Sequence, residues 1–243
     1  MISFILKNIL NTSLNSFLSQ FDLSMINFIE KIIVISLSNQ DIHSCAALAN
    51  TLESILILTS NRIPTFFSEK VNILFENFNL LIFIEIINKS KNPLPILSVQ
   101  CICNFILAGF ANRVLSLNDV VSCFLNKLEN GDYEIKEEII LCLINLLEKA
   151  PLEYKSSFLS NRKILSLFVD VFPTLHIKYV LYFLKSLYNE LSQCTKIANF
   201  ADIKNAFLEA EFLNIFESLD CEVEGDDISE IQPINELFQN ILS

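Results

Sequence analysis

One recurrence constrains this chain more than any other feature. "LSVQCICNFI" sets Asn104 where "EIILCLINLL" sets Asn145, and "VLYFLKSLY" sets Ser186 in the same slot, so a polar residue on an apolar helical stretch returns after 41 residues and after 41 again. A looser first copy, "ALANTLESIL", puts Ser54 there at an interval of 50, and a last one, "INELFQNIL", puts Asn240 there at 54. Self-similarity at such a period is the signature of stacked supersecondary units, each unable to bury its apolar face alone. The core then runs lengthwise through the stack, and one helix of each unit lines a common face.

Each copy is preceded by a second apolar stretch at helical spacing. The pairs read as 23–37 with 41–58, 70–89 with 94–109, 118–129 with 132–149, 162–172 with 174–191, and 205–219 with 227–242. Breakers stand at the joints: "SNQD", "KSKNPLP", "ENGD", "FPT" and "CEVEGDD". Three glycines and six prolines leave few residues for the tight turns of a β-sheet or a nucleotide loop. The expected class is all-α, a single α-solenoid over 1–243 with units at about 1–60, 61–114, 115–151, 152–200 and 201–243. Residues 1–40 are apolar at the same spacing, with Phe4, Leu10, Leu14, Phe17 and Leu18 as expected buried positions at the leading edge.

Within the second helix of a unit, the residue four before the recurring slot shares its face one turn away. The pairs are Asn50 and Ser54, Gln100 and Asn104, Leu141 and Asn145, Tyr182 and Ser186, Glu236 and Asn240. On a concave wall they form a ladder whose asparagines both donate to and accept from the backbone of an extended peptide. The alternative is that Asn104 and Asn145 cap or cross-link neighbouring helices by satisfying buried carbonyls.

Charge narrows the partner class. Residues 205–243 hold ten acids and no Lys or Arg, while the rest of the chain is close to neutral, with 18 acids against 17 bases. No basic stripe exists for phosphate, so nucleic acid is not expected; the acidic end attracts basic partners or is simply solvated. The apolar stretch "VNILFENFNLLIFIEII" carries Glu76 and Glu85, which argues against a membrane span. "MISFILKNIL" lacks the basic start and cleavage site of a secretory signal, pointing to residence inside the cell. Seven irregularly spaced cysteines, mostly in apolar helices, read as reduced and buried.

Catalytic motifs are not found. His43 and Cys45 sit two apart on one helix and do not face each other. Cys101 and Cys103 lack the gap and the second ligand pair of a zinc site. Gly109, Gly131 and Gly225 are too dispersed to cradle a phosphate. No catalytic residue, metal or cofactor is assigned.

"DYEIKEEIILCLINLL" resembles the third helix of an armadillo repeat, and "PILSVQCICNFILAG" resembles the same helix with the closing glycine, here Gly109. The closing stretch "EAEFLNIFESLDCEVEGDDISEIQPINELFQNIL" is similar to the last repeat of importin-alpha. The resemblance covers about 41–243 and is strongest over 95–150. It implies a right-handed superhelix of armadillo or HEAT type that acts without catalysis. The implied role is a cargo adaptor of nuclear transport, in cytoplasm and nucleus, holding an extended basic peptide and meeting a transport-factor partner. The groove residues it implies are Gln100, Asn104, Leu141, Asn145, Tyr182, Ser186 and Asn240. In that family a tryptophan precedes each groove asparagine by four; here Gln100, Leu141 and Tyr182 hold those slots, so only Tyr182 offers a ring to a cargo lysine. The alternative within the fold is an armadillo scaffold for adhesion, cytoskeletal or complex assembly.

Overall fold

A computed structural model describes residues 22–39, 41–59, 68–117, 119–196, 199–222 and 228–243. Phe4, Leu10, Leu14, Phe17 and Leu18 lie outside the described residues, as does most of the "CEVEGDD" joint. All regular structure among the described residues is helical. The chain divides into two compact units, Met1–Cys123 and Phe124–Ser243.

The first unit contains α1 (Leu23–Asn39), α2 (Ile42–Thr59), α3 (Ser68–Asn77), α4 (Leu81–Lys89), α5 (Leu94–Phe105) and α6 (Ala111–Leu115). α7 (Val120–Asn130) begins in this unit and ends in the second. Asp22 and Asp41 open α1 and α2 by accepting from the Ser24 and Ser44 amides at 2.9 and 2.7 Å, the side-chain caps that a helix start needs. α1 packs on α2, α2 on α5, and α4 on α5. Between them sits an aromatic cluster in which the Phe75 ring meets Phe105 edge-on at 4.7 Å and stacks on Phe110 at 5.0 Å. Phe78, Phe83 and Phe105 are fully buried, and each such side chain contributes roughly 2–3 kcal/mol of transfer free energy.

Two expected helices of this unit differ from the sequence pattern. The continuous helix over 70–89 breaks after Asn77: the Arg113 guanidinium donates to the Phe75 and Phe78 carbonyls, and Asn79 Oδ1 accepts from the Leu81 amide at 3.2 Å to start α4. The break places Phe78 and Phe83 ring on ring at 5.1 Å, so packing outweighs helix continuity. The helix over 94–109 instead continues through a π turn, Ile106–Phe110, into α6. Gly109 adopts φ +95° in that turn, a conformation that L side chains rarely take. By length and composition Leu94–Leu115 is long and apolar enough to cross a membrane, with a mean hydropathy of 1.9; half of that window is buried within the structure.

The second unit contains α8 (Tyr133–Lys149), α9 (Leu152–Leu159), α10 (Arg162–Val171), α11 (Ile177–Cys194), α12 (Phe200–Glu209), α13 (Asn214–Glu222) and α14 (Ile228–Leu242). α9 falls where the sequence pattern leaves a loop, opening directly after Pro151. Asn161 caps α10 by accepting from the Lys163 and Ile164 amides, and His176 Nδ1 accepts from Lys178 at the start of α11. The expected helix over 205–219 is interrupted at Glu211, whose φ of 53° is left-handed. There the Phe212 amide donates to the Phe207 carbonyl at 3.1 Å while the two rings meet at 4.8 Å, the hydrogen bond and apolar contact of a Schellman stop.

Candidate peptide-binding face

In the first unit the candidate positions lie on α2 and α5, which pack against each other. Gln100 is half-buried on α5. Asn104, one turn further, donates its amide to Thr59 Oγ1 on α2 at 3.1 Å, and Thr59 in turn donates to the Ile55 carbonyl at 2.9 Å. Ser54 is buried and donates to the Asn50 carbonyl at 2.7 Å. Cys101, between Gln100 and Asn104, is fully buried; desolvation pushes its thiol far above the usual range, and its Sγ donates to the Leu52 carbonyl at 3.8 Å.

In the second unit the candidate positions lie on α8 and α11, also packed side by side. The periodicity of each helix decides which side chains reach the surface. On α8 the buried residues wrap most of the helix, from Ile135, Ile139 and Leu143 round to Ile140 and Ile144, leaving Glu138, Leu141 and Asn145 as a narrow half-buried stripe. On α11, Lys178, Tyr182, Lys185 and Asn189 form the exposed stripe, and Tyr182 is 47% exposed. Leu141, Asn145 and Tyr182 thus belong to adjacent helices. The Asn145 amide donates to the Leu141 carbonyl at 2.8 Å, and Ser186, buried, donates to Glu148 Oε1 at 2.9 Å. Asn240 is exposed on α14, which packs on α11.

Several polar residues at these helices carry no signal in the recurrence. Thr59 and Glu148 are the partners of Asn104 and Ser186. Lys155 on α9 and Glu190 on α11 form an ion pair with side chains 8% and 6% exposed, and Lys155 also donates to the Glu148 carbonyl at 3.2 Å. Glu190 has a legible signature, because it stands in the buried stripe with Leu187, Leu191 and Cys194. Burial and the Glu190 carboxylate raise the Cys194 thiol.

His43 and Cys45 are both exposed on α2. No group of three or more His, Cys, Asp or Glu among the described residues is arranged to hold a metal ion. An open cleft of about 790 Å³ lies between the end of α7 and α10, lined by Leu125, Asn126, Lys163 and Leu167. Another of about 540 Å³ in the first unit is flanked by Cys45, Lys89, Lys91 and Leu94. Neither is lined by the candidate face residues. No protein-family model, curated protein or solved structure matches the chain.

Proposed function

We propose that this chain is a non-catalytic adaptor that holds an extended segment of a partner protein, in the manner of an importin-alpha-like cargo receptor working in cytoplasm and nucleus. The observation that carries the reading is the α8–α11 wall. Tyr182 stands 47% exposed on α11, and Leu141 and Asn145 lie half-buried on α8, which packs against it, so an aromatic ring and an amide occur on two contacting helices. Such a surface offers hydrogen bonds to a strand's backbone and a ring to the aliphatic stem of a lysine. Gln100 and Asn104 on α5 and Asn240 on α14 are the corresponding positions elsewhere. The excess of acid in residues 205–243 favours a basic partner.

The test is fluorescence anisotropy with a lysine-rich extended peptide and a neutral one of equal length. The adaptor reading expects the basic peptide to bind more tightly, to weaken as salt rises, and to lose affinity in Tyr182→Ala and in Asn104→Ala/Asn145→Ala. Failure of both peptides to bind rejects it.

A second reading, an armadillo-type assembly scaffold outside nuclear transport, is favoured by two bonds. Asn104 is engaged with Thr59 and Ser186 with Glu148, so in each compact unit a recurring polar residue serves to join helices. Equal affinity for the neutral and basic peptides selects this reading.

A further inference from the structure

The second unit holds a charge pair where its surroundings are apolar. Lys155 and Glu190 are buried on α9 and α11, whose other buried residues include Phe158 and Leu159 on the first and Leu187, Leu191 and Cys194 on the second. The same lysine Nζ donates to the Glu148 carbonyl at the end of α8, and the Glu148 carboxylate accepts from Ser186 on α11. Four residues therefore tie together three helices by directional bonds. Removing two charges from water costs about as much as their attraction returns, and apolar replacements of similar volume are commonly tolerated in such places. What an apolar pair does not supply is a single axial setting. The buried stripe of α11 repeats Leu184, Leu187 and Leu191, so a slide along its axis exchanges one leucine for another at small cost. The lysine and glutamate meet in one setting alone, as polar groups in otherwise apolar helix seams do when they fix register.

We infer that Lys155 and Glu190 form a register lock for α8, α9 and α11. The lock admits the setting in which Ser186 meets Glu148. Lys155 is thereby a positioning residue for the α8 stripe that carries Leu141 and Asn145 and for the α11 stripe that carries Tyr182. This last consequence rests on the adaptor reading, whereas the lock does not.

The experiment compares the full chain with Lys155→Met/Glu190→Met, which keeps volume and removes charge, and with Lys155→Arg, which keeps the pair. Melting temperature is measured beside native-state amide exchange by mass spectrometry over 141–149 and 183–192. The lock expects the double variant to melt at or above the wild-type temperature while exchange in both segments accelerates roughly tenfold, because local opening is no longer opposed. It expects Lys155→Arg to retain wild-type protection. Wild-type exchange in the double variant overturns the inference. So does a double variant that fails to fold, since the pair would then be supplying stability and not register. Peptide anisotropy is read separately: no peptide binding by the wild type, with accelerated exchange in the double variant, rejects the adaptor reading and supports the lock.

Discussion

The Ser186 hydroxyl donates to the Glu148 carboxylate across 2.9 Å, joining α11 to the last turn of α8. The two residues are 38 apart in sequence, close to the 41-residue interval of the recurring polar slot, and the bond joins two helices of the second compact unit through the residue that recurs. Ser186→Ala removes the donor and leaves the exposed carboxylate to water. We expect a loss of about 1 kcal/mol in urea unfolding, and a coupling of similar size in a double-mutant cycle with Glu148→Ala. Additive effects of the two changes would mean that the bond contributes nothing.

The Asn104 amide and Thr59 hydroxyl make the matching link in the first unit, at 3.1 Å. Thr59 is buried, so Asn104→Ala costs on the order of 1 kcal/mol, and Thr59→Val should abolish most of the further effect of Asn104→Ala. Chemical denaturation of the two single variants and the double variant checks this.

Tyr154 carries a buried hydroxyl with no hydrogen-bond partner, and burial pushes its phenol up to about 12 from an ordinary value near 10. The sign follows from the raised folded value. Below about pH 10 both folded and unfolded chains keep the proton; above it the unfolded chain releases the proton first, so stability falls as pH rises toward 12. Tyr154→Phe removes both the orphaned hydroxyl and this titration. We expect a gain of about 1 kcal/mol at neutral pH and a shallower loss of melting temperature across the alkaline range. An unchanged alkaline slope would show that Tyr154 does not titrate with unfolding.

Glu211 holds φ 53° at the stop between α12 and α13. A left-handed L residue costs roughly 1–2 kcal/mol, against which the exposed bond from Asn214 to its carboxylate returns little. Glu211→Gly should therefore raise stability by about 0.5–1 kcal/mol, and Glu211→Val should lower it. Calorimetry on the pair decides, and a less stable glycine variant would contradict the account.

The period of the apolar positions was enough to expect the helices. Asp41, Asn161 and His176 are legible as helix starts because a capping side chain acts within three residues of itself. The break between α3 and α4 is only half legible: Asn79 is a local cap for α4, whereas Arg113, which holds the Phe75 carbonyl, lies 38 residues away in a stretch with no mark of its own. α9 is short and follows a proline, so no period accumulates over it. At the candidate face, the sequence places Asn104 and Ser186 on their helices, but Thr59 and Glu148 come to them through packing that a one-dimensional pattern does not carry. Lys155 reads as one more surface lysine until α11 covers it.

The cysteines of α2, α5, α8 and α11 differ in their access to solvent. Cys45 is exposed, Cys103 half-buried, and Cys101, Cys142 and Cys194 are shut inside the helix packing. A thiol reagent therefore meets a two-speed protein: Cys45 is modified from the native state, while the enclosed sulfurs wait for local opening. Without any engineered label, the chain carries its own clock for how often its interior breathes, with separate hands in each compact unit.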